Sequence, residues 1–483
     1  MENLGSDTEM QLSPEQPTVA LTPGSENRID VWQQTGSFPY PELQVFPPPP
    51  THEYSKNELR LIHHLSSISN DLLLKGSTKL TIWTQKMPKF LSIASTYPFV
   101  MHALLSFSAN HLAWTHRSND ARNLHIHHGS IALRGLHEAI GSFSPANSDA
   151  VLAASVLMLW QATDWRSWSS LRAGIQSVLN TMQSWTHRAM FAEFLAEEDL
   201  VATSYRTHRR RSSVDSNERG GILKRTAQAL QRAQVALAGH ETELHWLGQL
   251  LTYVQRLQGM APARTPEEQF AQFYYLRKWL FWVPVALLQR TQGQGPAMLT
   301  LAQFYATALA LEPLFPDLGS SFCSAIALPP MEAIISVTNS MQSEQMMSPA
   351  LMEIANVMQY PLHVAQQYRS RAVQIQQMAI SQGMSFTGIS PATMGSASVG
   401  NLSPAFAPPA LHYSHSQAPS ATQSPFLEVP PTHPGFSYGT QGWGAVPSPG
   451  LPAQNYQTQD EQLYGYLSSN NLGGGFVPSP IWT

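Results

Sequence analysis

Eighteen histidines and a single cysteine set the limits on the chemistry open to this chain of 483 residues. The histidines include His63 and His64, His102, His111, and the group His125, His127 and His128. Metal binding needs ligands that converge at workable spacing. The nearest approach to a helical zinc-protease pattern is His240-Glu241-Thr242-Glu243-Leu244-His245. Its second imidazole comes one residue too late, so the two rings leave the helix on different faces. His102 and His111 therefore read as helix-packing residues and the others as partly exposed. No metal site and no cofactor are expected. Glu193, Glu197, Glu198 and Asp199 form an acidic group without the aspartate-rich pattern that an all-α terpenoid cyclase would use for magnesium. A solvated helix face is the plainer reading. Cys323 is a lone thiol in an apolar setting and reads as packing. Gly473-Gly474-Gly475 follows no strand and reads as a spacer, not a phosphate loop.

Two further groups could carry function. Trp160, Trp279, Trp282, Pro284 and Phe304 are candidates for lining an apolar ligand pocket. The same side chains read equally as ordinary core. Pro284 sits inside a helical pattern, where it removes a donor and crowds the preceding turn, so a kink is expected. A lipid, if one binds, is expected beside it. Arg209, Arg210 and Arg211 followed by Ser212 and Ser213 suit a nuclear import signal or a phosphorylation site for a basophilic kinase. A plain solvated loop explains the run as well.

The elements that must position these residues are helical. Phe273, Leu276, Leu280, Val283 and Leu287 form one stripe at steps of three and four, and Tyr275, Trp279, Trp282 and Ala286 a second. A helix apolar on two sides must be enclosed by others. Pro296 suits the first turn of the next helix, which carries Leu301, Phe304, Tyr305, Ala308 and Leu311. This pair reads as the central hairpin of an all-α, multi-helix bundle. Ser55-Lys56-Asn57-Glu58 is a capping box that opens the bundle. Helices are expected over 78–95 with a bend at Pro88, from Tyr97-Pro98 onward, over 119–140, 151–163 and 165–185, over 222–257 as two helices meeting near Gly239, and over 331–341 and 350–372. No strand alternation is convincing, and the apolar runs are too interrupted to span a bilayer, which takes about 20 residues.

Composition divides the chain into three parts. Residues 1–50 form a polar leader ending in Phe46-Pro47-Pro48-Pro49-Pro50, read as disordered with a stiff spacer. Its opening, Met1–Leu12, has no basic segment followed by an apolar run, so no signal peptide is read. Residues 51–375 form the helical domain, with an exposed loop at 204–221. Residues 376–483 contain no Lys or Arg and are rich in Ser, Pro, Gly and Gln. Such a tail cannot bury enough to offset its ordering entropy, so disorder is expected. Its Ser-Pro steps and scattered aromatics suit an activation segment. Charged residues are only 12% and the net charge is -4, so no overall field draws nucleic acid. One cysteine excludes a disulfide within these residues and suits a reducing compartment.

Several stretches together resemble the regulatory domain of fungal zinc-cluster transcription factors, and among these the sterol uptake control proteins. They are Leu59-Arg60-Leu61-Ile62-His63-His64-Leu65, the segment from Trp83 through Pro88 to Phe90, and Pro98-Phe99-Val100-Met101-His102-Ala103-Leu104-Leu105 continuing to Ala113. Trp165-Arg166-Ser167-Trp168 continuing to Gly174, and Ala310-Leu311-Glu312-Pro313-Leu314-Phe315, complete the set in order. The family's six-cysteine zinc cluster has no counterpart, since nothing before Ser55 is a cysteine. The resemblance implies an all-α regulatory domain, nuclear or shuttling with the cytoplasm, without its own DNA reader. It implies control of RNA polymerase II transcription through a DNA-binding transcription factor or the transcription machinery, as a homo- or heterodimer, and a sterol-like lipid effector. No direct sequence-specific DNA contact is expected. The alternatives are an all-α enzyme on apolar substrates, which the missing acidic metal motif disfavours, and a non-catalytic scaffold.

Overall fold

The computed structural model describes residues 21–182, 185, 216–290, 294–318, 323–344 and 349–381. Thirteen α-helices and no strand lie among them. In chain order they are α1 (Pro23–Thr35), α2 (Lys56–Leu74), α3 (Met87–Ala94), α4 (Pro98–His116), α5 (Asn119–Gly141), α6 (Ser148–Gln161) and α7 (Trp165–Met182). There follow α8 (Ser216–Ala236), α9 (Glu241–Gly259), α10 (Pro266–Arg290), α11 (Gln294–Leu311), α12 (Leu328–Glu344) and α13 (Pro349–Ser381). The all-α bundle expected from the periodicity is what the chain forms.

Local chemistry explains where the helices start and stop. Ser55 accepts from the Glu58 N–H while the Glu58 carboxylate accepts from the Ser55 N–H, so the capping box opens α2. Pro98 occupies the first turn of α4, where a missing N–H costs nothing. Between α8 and α9 the chain turns at Gly239 with φ +92°, a conformation that a side chain would strain.

The first half of the bundle is built on α4 and α6, both apolar around nearly the whole circumference. α5 packs along α4 more extensively than any other pair of helices. Glycine makes this close approach workable: a Cβ at Gly135 would lie 2.5 Å from the Phe99 Cβ, and one at Gly129 would lie 3.2 Å from the Ser106 Oγ. The second half is built on α11, which touches α8, α9, α10, α12 and α13. Leu301, Phe304, Tyr305 and Ala308 on this helix are fully buried. Buried Gln303 donates to the Val357 carbonyl of α13 at 3.2 Å, tying α11 to α13.

The segment between α2 and α3 ties the halves together. The stretch expected as one helix over 78–95 holds two 3₁₀ turns, Thr78–Leu80 and Thr84–Lys86, before α3 begins at Met87. Pro88 stands in the first turn of α3, where it starts a helix instead of bending one. Thr78, Thr81, Ile82 and Thr84 are β-branched and favour helix poorly. Tertiary bonds then take up the groups a helix would have paired. Tyr305 donates to the Leu80 carbonyl at 2.9 Å, and the Trp83 indole N–H donates to the Phe281 carbonyl of α10 at 3.0 Å. Lys75 donates to the Leu288 and Gln289 carbonyls at 3.3 and 3.0 Å, at the electronegative end of α10. Helix α10 itself continues through Pro284 to Arg290.

Other boundaries differ from the compositional reading. Residues 21–50 do not stand apart as a leader, because α1 buries Ile29 and Trp32 completely. Glu26 accepts from Arg60 Nε and Nη2 at 2.8 and 3.0 Å, and Lys56 pairs with Asp30 at 2.7 Å, fixing α1 on α2. The proline run rests on α3, with the Phe46 N–H bonded to the Ser92 hydroxyl at 3.0 Å. Composition missed this because two buried side chains one turn apart suffice to dock a short polar helix. Of the expected loop 204–221, residues 216–221 belong to α8. Helix α13 runs past 376 to Ser381. The rest of the tail, and residues 1–20, lie outside the described residues. No helix among the described residues is long and apolar enough to cross a membrane.

Candidate functional site

Aromatic side chains from four segments meet where α4, α6 and α10 face the 3₁₀ segment. Phe107 of α4 sits 4.9 Å from Trp282, 5.9 Å from Trp160 and 5.4 Å from Trp83, centroid to centroid. Phe281 packs on Trp160 at 5.5 Å. The ring pairs are tilted or edge-to-face, the arrangement that aromatic quadrupoles prefer. Beside this nest lies a cavity of about 40 Å³, lined by the aromatic residues Trp160, Phe281, Trp282 and Tyr274 and by the polar residues Asn110, Gln161, Thr163, Arg277 and Lys278. A water needs about 10–15 Å³ of such space, so a few waters would fill it, whereas pockets for drug-sized ligands hold about 300–1,000 Å³.

The polar wall is rigid. Arg277 is 4% exposed and donates to the carbonyls of Leu159 and Ala162 at 3.3 and 2.9 Å, closing the C-terminus of α6 with a positive charge. Burial brings its pKa down only to about 10, so it stays charged at neutral pH. Gln161 donates to the Leu157 carbonyl at 2.8 Å and accepts from the Ser106 hydroxyl at 2.9 Å.

The nest also touches a buried histidine pair. His64 Nε2 and His111 Nδ1 share a hydrogen bond of 2.8 Å, and the His111 ring lies 4.9 Å from Trp282. Burial lowers His111 to about 3 and His64 well below the ordinary value, so both are neutral at pH 7. The second nitrogen of His111, Nε2, is buried without a hydrogen-bond partner. A neutral imidazole beside an aromatic cluster can hydrogen-bond a hydroxyl but supplies no charge. His63 is buried next to this pair and bonds the Tyr40 hydroxyl at 2.8 Å.

The sequence candidates are divided by the structure. Trp160 and Trp282 line the cavity; Trp279 and Phe304 pack against each other at 6.3 Å in the second half of the bundle, where Trp279 also meets Tyr253. Pro284 is buried one turn beyond the cavity wall. Arg209, Arg210, Arg211, Ser212 and Ser213 lie outside the described residues. His111 packs inside the bundle as expected and His102 is half-buried, but His63, His64 and His128 are buried where partial exposure was expected. The second turn of α2 faces inward, against α4, and that draws His63 and His64 out of solvent. Cys323 is buried, its thiol 3.2 Å from the Ala308 carbonyl, in keeping with a packing role. Sequence reading missed Trp83, Phe107 and Gln161, which only the meeting of α4, α6 and the 3₁₀ segment brings into one region. Among the described residues one group has metal-binding geometry: Glu58, His102 and His128.

Comparison with known proteins bears on the same region. Residues 86–198 match the family model described as a fungal specific transcription factor domain. The described part of that match runs from the end of the 3₁₀ segment through α7 and includes Phe107, His111, Trp160 and Gln161 of the site. A 99-residue stretch is 33% identical to sterol uptake control protein 2 of Candida albicans, and 103 residues are 32% identical to the protein of that name in Saccharomyces cerevisiae. These matches cover 20% and 21% of this chain and only 13% and 11% of the relatives. No solved structure matches the chain.

Proposed function

We propose that this protein is a nuclear regulator of RNA polymerase II transcription whose helical domain responds to an apolar, sterol-like effector. The fungal transcription factor domain over residues 86–198 is the observation that carries the regulatory role. These residues hold one cysteine, so no six-cysteine cluster can be built from them, and in this reading they act on DNA through another DNA-binding element such as a partner factor or the transcription machinery. The effector reading draws on the aromatic nest. A flat apolar molecule would lie against Trp160, Phe281 and Trp282, with its hydroxyl toward the His111 edge or the Gln161 wall. It must open the small cavity to do so, so binding has to displace rings or shift α10 against α4. That requirement couples occupancy to helix packing, which is what a sensor needs.

The test is a reporter assay with the full chain fused to a heterologous DNA-binding domain, in cells grown with and without sterol depletion. Reporter output should change with sterol supply. Trp282→Phe, which keeps a buried ring, should weaken that response, with output normalised to the fusion's abundance in the same cells. A fusion with the same output as the DNA-binding domain alone, under both conditions, would reject the regulatory role. Output that is present but indifferent to sterol would reject the effector.

A further inference from the structure

We propose that Glu58, His102 and His128 form a site for one zinc-class divalent ion that clamps α2, α4 and α5 together. Each residue offers one ligand atom, and these atoms all lie within 4.8 Å of one another. The two imidazoles meet through Nδ1 at 3.0 Å, with their rings stacked at 5.3 Å and an interplanar angle of 21°. Nitrogens about 2.0–2.1 Å from a tetrahedral ion sit about 3.3 Å apart, so the observed spacing needs only a small adjustment.

The donor set is chemically apt. Two imidazole nitrogens and one carboxylate oxygen favour zinc and its neighbours over calcium or magnesium, which prefer all-oxygen shells. Glu58 and His102 are half-buried and His128 is buried, so the group is partly open to solvent, from which water can complete the coordination. Both rings are neutral at pH 7, as burial lowers His128 to about 4 and lowers His102 as well. Without metal, one Nδ1 donates to the other. On binding, the proton on that Nδ1 moves to Nε2 through solvent, both Nδ1 lone pairs turn to the ion, and no net proton is released.

Supporting contacts orient the ligands. Glu58 Oε2 is held by the Ser55 N–H and hydroxyl, each at 2.8 Å, so the capping box that starts α2 also aims the carboxylate. Gly129 and Gly135 allow α5 to approach α4 closely enough to bring His128 onto His102. An ion here would fix the N-terminal α1–α2 pair to the α4–α5 hairpin. The site stands apart from the aromatic nest and does not depend on the effector reading.

The experiment is zinc titration of the purified full chain by calorimetry, with Co²⁺ absorption to report coordination and Mg²⁺ as control. The wild-type chain should take up one tightly bound zinc, and cobalt should show a tetrahedral d–d spectrum. Glu58→Gln keeps the capping box, since glutamine also serves there. It and His102→Ala, a half-buried change that the fold tolerates, should each weaken the tight site at least about tenfold. Weak additional uptake by exposed histidines should be the same in all three proteins. No tight site in the wild type, or a tight site unchanged in both variants, would overturn the proposal and leave only an imidazole–imidazole hydrogen bond.

Discussion

Acid should loosen this fold well above the pH at which carboxylates protonate, and His63 is the residue on which the effect can be measured. An imidazole free in the unfolded chain titrates near 6.5, whereas burial, aided by Arg28, holds His63 down to about 4 in the folded protein. Between those values the unfolded state takes up a proton that the folded state refuses. Stability from this group is therefore complete above about pH 6.5 and is lost as the pH falls toward 4. Between pH 7 and pH 5 the loss is about 2 kcal/mol for His63 alone. His64, His111 and His128 are lowered in the same direction and add to it. Set against about 5–15 kcal/mol for a whole domain, these losses bring the protein close to unfolding at pH 5. The assay is urea unfolding of the full chain at both pH values, followed by tryptophan fluorescence. His63→Phe removes the Tyr40 hydrogen bond at either pH, so its absolute stability is not the readout. What matters is the difference between pH 7 and pH 5, which should shrink by about 2 kcal/mol relative to the parent. Equal stability of the parent at the two pH values, or an unchanged difference in His63→Phe, would refute the reasoning.

Two substitutions test the packing that positions the site. Trp83→Phe keeps most of the buried ring but leaves the Phe281 carbonyl without the indole N–H, and should cost about 1–3 kcal/mol in urea unfolding. Gly135→Val drives a branched side chain into Phe99 and should destabilise the α4–α5 pair by about 1–3 kcal/mol or more, seen as a lower Tm and faster amide exchange in those helices. A Tm equal to the parent in Gly135→Val would mean that α5 does not approach α4 as closely as described.

Much of the bundle could be read from residue order alone. The capping box at Ser55, the two stripes from Phe273 to Leu287, and the turn at Gly239 are local signals, and local hydrogen bonding and periodicity decide them. Three things were not legible. The first is α1: its sequence is polar, and it is held by the burial of Ile29 and Trp32 and by ion pairs of Glu26 and Asp30 with Arg60 and Lys56 of α2, contacts with no local signature. The second is the stretch from Thr78 to Lys86, where a partly helical apolar pattern yields to bonds from Tyr305 and to Phe281, more than 190 residues away. The third is the convergence of Glu58, His102 and His128. Each sits on its own helix, and only the crossing of α2, α4 and α5 brings their ligand atoms within 4.8 Å. Helix identity depends on neighbours a few residues apart, which the sequence displays. Which faces meet depends on packing the whole set of helices at once, and that is settled only when the chain closes on itself.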